Sequence, residues 1–328
     1  MSDYQNIWVY AETADNGPAP VVYELLAKGR ELADKTGEKL AAVLLGHKTG
    51  DSAQELLAYG ADQVIRLESE NLADYKPVPY AAAMKELVDK HKPSMLLFGA
   101  TAEGRDLAPR LQAKLLTGLT ADCLDLSVDE AGLLVQIKPS YGDNIMCTIT
   151  CPSARPQMAT VRPKVFSPLE KAEAKGEVID EKIEVKADER YEVLGRQPLP
   201  SAGPDIGAAD ILVALGRGAA GEGAVKAAQE LAELLRGAVA VTRPLTDDGQ
   251  FSHDLLIGQS GLTVKPKCIL NFGISGAIQY VVGMQNSGLI ISVNKMEDAP
   301  IFGVSHYGVV SDAEETIKAI VEAIKQAN

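Results

Sequence analysis

Cysteine and histidine are scarce, with four of each in 328 residues. The cysteines are Cys123, Cys147, Cys151 and Cys268, and only Cys147 and Cys151 lie close, in a CxxxC. That spacing suits neither the common zinc sites nor a redox pair, and no histidine stands near it. Buried reduced thiols are expected instead, as in a reducing compartment. Aromatics are equally sparse at 5%, with one tryptophan. Such a composition fits layered α/β domains better than β-sandwiches. No apolar run reaches the roughly 18 residues that span a bilayer. The opening MSDYQNIWVYAE lacks a basic segment and a long apolar core, so no secretory signal is expected and a bacterial-type cytoplasmic location is. Positive charge is also short: 32 Lys and Arg face 45 Asp and Glu, for a net charge of −13. An acidic surface repels phosphate backbones and anionic lipids, which argues against nucleic-acid or membrane binding. Both halves are net negative, so no charged tail explains it.

What the chain has is small and aliphatic residues: 46% hydrophobic overall, with 29 glycines. Short aliphatic runs alternate with helical patterns. Strands are expected at Ile7–Ala11, Leu40–Leu45, Gln63–Leu67 and Ser94–Phe98, and helices at Val21–Thr36, Asp51–Tyr59, Val78–His91 and Arg105–Leu116. Alternation of this kind implies parallel strands covered on both faces. Leu133–Pro139 and Ile145–Thr150 read as an antiparallel addition, followed by a strand at Ala159–Val165. From Phe166 to Pro204 the chain becomes charge-rich and then Pro- and Gly-rich, as a covering strand and a linker would. A second unit follows: strands Ile211–Leu215, Ala238–Thr242, Cys268–Phe272 and Leu289–Asn294, with helices Glu222–Leu235, Ala277–Met284 and Asp312–Lys325. The expected architecture is α/β, with domains at 1–204 and 205–328, each a mostly parallel sheet with helices on both faces. About 125 residues or more per domain suffice for a core without metals or disulfides.

The sharpest motif is Gly216-Arg217-Gly218-Ala219-Ala220-Gly221, a GxGxxG between the strand ILVAL and the helix from Glu222. Glycines there let backbone N–H groups approach a phosphate at a helix N-terminus; the same residues also make a plain tight turn. A nicotinamide site needs an acidic residue about 20 positions on, where this chain has Thr242-Arg243-Pro244. Arg243 would suit a 2′-phosphate or another electron-rich group. Two more glycine-polar loops follow strands of the same unit: Ile257-Gly258-Gln259-Ser260-Gly261 and Gly273-Ile274-Ser275-Gly276-Ala277-Ile278-Gln279-Tyr280. Ser275 would cap the ensuing helix, and Gly276 would admit a close anion. Ligands of open parallel sheets bind at such carboxyl ends.

Together with Val293-Asn294-Lys295, the run Ala299–Phe302 and the helix opening at Asp312, these motifs resemble, in order and spacing, the α subunit of electron transfer flavoprotein. Gly99–Leu115, GATAEGRDLAPRLQAKL, resembles that family's N-terminal domain, and the likeness extends over the whole chain. It implies a Rossmann-like C-terminal unit that binds FAD, and a β subunit completing a heterodimer. By the same resemblance Arg217 lies near the pyrophosphate. Thr242 and Arg243 flank the isoalloxazine, and the loop from Ile257 and Gly258 through Gln259 and Ser260 faces the flavin. Ser275, Gly276, Ala277, Ile278, Gln279 and Tyr280 follow the ribityl and phosphate groups to O2. Asn294 and Asp312 complete the phosphate and adenosine side. A flavin that accepts an electron becomes anionic around N1 and O2, where cations and donors stabilise it.

The chain departs from the family at three positions, with Tyr280 for the usual His, Met296 for an Asp and Ser260 for a Thr. These departures bear on the redox potential, not on the cofactor. The implied function is electron carriage between flavin dehydrogenases, such as acyl-CoA dehydrogenases, and other redox partners, not classical enzyme catalysis. The alternative is an electron-bifurcating, NADH-oxidising form whose β subunit holds a second FAD in place of AMP. A stand-alone NADP-dependent enzyme is the third reading. His47, His91 and His306 read as surface or satisfied histidines; His253, after the Asp247-Asp248-Gly249 turn, could approach the flavin loop. Arg105, Asp106 and Arg110 read as ion-paired residues of one helix.

Overall fold

The computed structural model describes residues 3–14, 17–140, 145–190, 192–195 and 204–327. The chain forms two compact units, which among the described residues end at 195 and begin at 204. The Pro- and Gly-rich stretch expected as a linker, 196–203, lies outside the described residues.

The first unit holds β1 (Ile7–Tyr10), β2 (Thr13–Ala14), β3 (Gly17–Pro18), α1 (Pro20–Thr36), β4 (Leu40–Gly46), α2 (Ser52–Ala58), β5 (Gln63–Glu68), α3 (Pro77–His91), β6 (Met95–Gly99) and α4 (Ala102–Leu115). It continues with β7 (Leu119–Cys123), β8 (Asp125–Val128), β9 (Leu134–Ser140), β10 (Ile145–Ile149), β11 (Gln157–Val161) and β12 (Glu177–Glu181). Seven strands pair in parallel in the order β12-β5-β4-β1-β6-β11-β7. β8, β9 and β10 form the antiparallel addition. β1, β4 and β6 are buried along their whole length, so both faces of the sheet are apolar. Ile7, Val9, Leu40, Ala42 and Leu44 meet α1 and α2 on one face, and Trp8, Tyr10, Ala41 and Val43 meet α3 and α4 on the other. Each fully buried Leu or Ile contributes about 1.5–3 kcal/mol.

β12 is the covering strand, docked parallel on β5. β7 and β8 were not expected, because LTADCLDLSV mixes polar and apolar residues without a long apolar run. Asp106 pairs with Arg110 at 2.9 Å and accepts from the Tyr75 hydroxyl at 2.8 Å, while Arg105 pairs with Asp122. Burial pushes the Cys123 thiol up to about 12, which fits a neutral core residue. Among the described residues no helix is long and apolar enough to cross a membrane.

The second unit holds β13 (Ile211–Leu215), α5 (Glu222–Leu234), β14 (Ala238–Val241), α6 (Arg243–Asp247), β15 (Cys268–Phe272), α7 (Ile278–Val281), β16 (Leu289–Asn294), β17 (Tyr307–Val310) and α8 (Ala313–Ala327). Its strands are all parallel, in the order β14-β13-β15-β16-β17. Val213, Leu215, Leu270 and Phe272 face α5 and α8; Leu212, Ala214, Ile269 and Ile290 face α7 and the 3-10 turn Pro300–Val304. The helix expected over Ala277–Met284 is shorter, four residues of α-helix. Since β13 enters between the strands that follow it, the path reverses between β13 and β15. That is the switch point where open sheets leave a crevice.

One close approach tests the packing of the first unit. A methyl group at Gly104 in α4 would stand 1.9 Å from the Gly99 carbonyl oxygen. Helix propensity alone favours Ala over Gly by about 1 kcal/mol. Gly104→Ala should nevertheless destabilise the unit by about 1–3 kcal/mol through overpacking, measured as a lower urea midpoint. A raised midpoint would contradict the packing.

Candidate functional site

At the carboxyl ends of the second sheet the structure forms a cavity of about 710 Å³, a size typical of small-molecule sites. Four strand-end loops and one intervening loop build it. Gly216, Arg217 and Gly218 come from the end of β13; Thr242, Arg243 and Pro244 from the end of β14. Leu256, Ile257, Gly258, Gln259 and Ser260 supply a third wall; Gly273, Ile274, Ser275, Ala277, Gln279 and Tyr280 follow β15; Asn294 and Met296 end β16.

The loops meet backbone to backbone. The Gly216 N–H donates to the Phe272 carbonyl at 2.9 Å, and the Gly218 N–H to the Gly273 carbonyl at 3.0 Å. A Cβ on Gly216 would sit 2.4 Å from the Gly273 oxygen. Gly273 has φ +63°, and a Cβ there would lie 2.5 Å from the Gly218 carbonyl carbon. Only glycine serves at such a crossing. The Gln259 N–H donates to the Gln279 carbonyl at 2.7 Å, joining the third wall to the β15 loop.

The electrostatics are one-sided. Among the described residues the only charged ones lining the cavity are Arg217 and Arg243, and no described carboxylate lines it, although the chain carries −13 overall. Arg243 opens α6 and pairs with Asp247 at 3.3 Å, its side chain 66% exposed. Arg217 is exposed and makes no ion pair among the described residues. Gln259, Ser260, Ser275 and Gln279 are exposed residues of the same cavity. Two cations, several neutral donors and apolar patches suit an anionic, partly aromatic ligand.

Twelve of the fifteen expected positions thus line one cavity: Arg217, Thr242, Arg243, Ile257, Gly258, Gln259, Ser260, Ser275, Ala277, Gln279, Tyr280 and Asn294. Gly276, Ile278 and Asp312 do not. Gly276 (φ +91°) admits close approach, but of the protein's own chain: a Cβ there would lie 2.1 Å from the Ile301 nitrogen. The N-cap of α7 is Ala277, not Ser275, which leaves the Ser275 hydroxyl at the cavity. Asp312 pairs with Lys295 at 2.7 Å and accepts from the Glu315 N–H at 2.9 Å, so it starts α8. Lys295 and these N–H donors hold its carboxyl below the usual range. Tyr280 lines the cavity, yet its hydroxyl points inward and donates to Asn271 Oδ1 at 2.6 Å; burial pushes this phenol above its ordinary pKa. The Asn294 amide is likewise engaged within the protein, donating to the Ile274 carbonyl and accepting from the Met296 N–H.

The GxGxxG divides. Gly216 and Gly218 line the cavity, but Gly221 does not. Beside the first turn of α5 lies Glu314 of α8, whose Oε1 is 2.2 Å from where a Gly223 Cβ would be. A carboxylate at a helix N-terminus is favourable, and it competes with a phosphate there. His253 lines a separate cavity of about 350 Å³ that shares Ser260. Leu256 was missed because nothing in its residue type marks it, whereas Pro244, Gly273 and Ile274 lie within the loops singled out in the sequence.

Comparison with known families adds a match to the electron transfer flavoprotein domain over residues 7–186 and to the electron transfer flavoprotein FAD-binding domain over residues 205–285. The chain is 42% identical to electron transfer flavoprotein subunit alpha of Thermoanaerobacterium thermosaccharolyticum, covering 99% of each. It is 42% identical to lactate dehydrogenase (NAD(+),ferredoxin) subunit LctC of Acetobacterium woodii, covering 98% of this chain and 77% of that one. With the acryloyl-CoA reductase electron transfer subunit beta of Anaerotignum propionicum it shares 36%, over 99% and 97%. Glycine crossings that bring backbone to the cavity wall, and a lining whose only charges among the described residues are positive, fit an FAD.

Two outcomes test this geometry. Gly216→Ala should cost the second unit about 1–3 kcal/mol by overpacking, read from urea denaturation; no change would show that the β13 and β15 loops do not touch. Asp312 has a lowered folded pKa, so its contribution is fully present above the usual 3.8 and is lost as pH falls through the folded value. Wild type should therefore exceed Asp312→Asn in stability near neutrality and converge with it in acid. A gap that widens in acid would contradict the assignment.

Proposed function

The chain belongs to the electron transfer flavoprotein α-subunit family, and we propose that it is the FAD-holding subunit of an αβ electron carrier serving flavin dehydrogenases, acyl-CoA dehydrogenases among them. The observation that carries this reading is the cavity at the β13/β15 switch point, whose only charges among the described residues are two arginines in a strongly acidic chain. Arg243 would hold the isoalloxazine and Arg217 the diphosphate, with Thr242, Ile257, Gly258, Gln259 and Ser260 completing the flavin side. Ser275, Ala277 and Gln279 would offer donors and backbone along the chain between them. FAD, when bound, supplies one- and two-electron redox chemistry.

The protein's part is electrostatic and steric. FAD held there would place the Arg243 guanidinium where a positive charge favours the reduced, more negative form of the ring. Neutral donors at Gln259 and Ser260 would add to this, with no carboxylate among the described residues of the wall. Apolar Leu256, Ile257 and Ile274 exclude water and strengthen these interactions. The cavity opens on a unit of only about 125 residues, and we assign its cover to a β subunit. Free cysteines fit a reducing compartment, and we place the complex in the cytoplasm.

The likeness to LctC favours one second reading, an NADH-oxidising, bifurcating complex with another FAD on β. Flavin counting per αβ dimer separates the two: one FAD and no reduction by NADH supports simple carriage, and two FADs with NADH reduction supports bifurcation.

Arg243→Ala in the αβ complex should lower the first reduction potential of the flavin by some tens of millivolts, since about 59 mV corresponds to 1.4 kcal/mol for one electron. Potentiometric titration is the measurement. An unchanged potential would remove Arg243 from the flavin.

A further inference from the structure

Along β15 and β16, on the face turned to α7, Ile269 and Ile290 are followed two residues on by Asn271 and Ser292. Both polar residues are 1% exposed and occupy paired positions on adjacent strands. An amide and a hydroxyl in an otherwise aliphatic layer are unfavourable unless hydrogen-bonded. Here they are bonded in series. The Tyr280 hydroxyl donates to Asn271 Oδ1 at 2.6 Å, and Asn271 Nδ2 donates to Ser292 Oγ at 3.1 Å. Ser292 Oγ lies 2.7 Å from Ser305 Oγ, which lies 2.7 Å from the Ile301 carbonyl. Because that carbonyl can only accept, Ser305 donates to it and Ser292 donates to Ser305.

Both ends of this series return to the cavity. Tyr280 lines it, and the Ile301 N–H donates to the carbonyl of Ser275, which lines it as well, at 3.1 Å. Gly276, between them, has the tightest approach to Ile301. The series therefore brackets the turn from Ser275 to Tyr280, while Asn271, Ser292 and Ser305 are not on the cavity wall.

We propose that Asn271, Ser292 and Ser305 are positioning residues that act through Tyr280 and Ile301 to set the Ser275–Tyr280 turn for the cofactor. The inference rests on the reading of the cavity as an FAD site. It assigns the Tyr280 hydroxyl to the brace and not to the flavin. A side chain at this position thus governs cofactor geometry from behind the turn, and a substitution at Ser305, outside the wall, is felt at the wall.

The test uses the full chain with its β subunit, as wild type, Tyr280→Phe, Ser305→Ala and the double variant. FAD affinity is read from flavin fluorescence, the setting of the bound ring from visible circular dichroism, and fold integrity from the melting of the FAD-free protein. Each single variant should raise the dissociation constant of FAD about three- to tenfold, the range set by one net hydrogen bond, and shift the flavin dichroism. The double variant should add little to the larger single effect, because the residues belong to one series. If both variants lower the melting temperature yet leave FAD affinity and dichroism unchanged, the series is structural only and the proposal fails. If Tyr280→Phe moves them and Ser305→Ala does not, Tyr280 acts on the cofactor by itself and the proposal also fails. Wild type that binds no FAD would instead overturn the reading on which the inference rests.

Discussion

The arrangement depends on one crossing of backbones, Gly216 and Gly218 of the β13 loop against Gly273 of the β15 loop. Contacts that close leave no room for a Cβ on either side, and the Gly216 and Gly218 N–H groups each find a carbonyl across the switch point, while that of Gly273 donates to Val293 of β16. Closing the floor of the crevice this way lets the flanking loops rise around it, which yields a walled cavity instead of a flat sheet end. The apolar layers beneath fix where β13 and β15 lie, so the crossing is held by the core.

On that floor, charge selects. Among its described residues an acidic chain brings two arginines and no carboxylate to the cavity wall. Acidic residues nearby are engaged in other roles: Asp247 tethers Arg243, Asp312 starts α8 and pairs with Lys295, and Glu314 packs beside the first turn of α5. The last of these changes how the glycine motif works. Its first two glycines form the cavity floor, while the helix N-terminus that would bind a phosphate in a nicotinamide enzyme faces a carboxylate of its own protein. This agrees with the lack of an acidic residue after β14, where Thr242-Arg243 stands.

Much of this was legible in residue order. Uninterrupted aliphatic strands such as ILVAL and LAAVLLG announce parallel sheets buried on both faces, and the glycine-polar clusters after them mark the carboxyl ends. Polar and apolar residues mixed in LTADCLDLSV concealed β7 and β8, and the exposed edge strand β17 carries no burial pattern at all. Site residues were legible where the residue type is unusual for its place: an arginine after a strand, or a serine between glycines. Direction was not. Gly276 was expected to admit an anion and admits Ile301; Tyr280 was expected to reach outward and reaches Asn271. Both reversals come from partners distant in sequence, which local pattern cannot supply.

The central claim is that the cavity at the β13/β15 switch point holds the FAD. Hydrogen exchange of the αβ complex, compared with and without FAD, tests it most directly, because exchange reports on backbone amides of each wall separately. FAD bound there slows exchange at residues 216–218, 242–243, 257–260 and 273–280. Protection confined to the first unit, or to the start of α5 with these four segments unchanged, would contradict it.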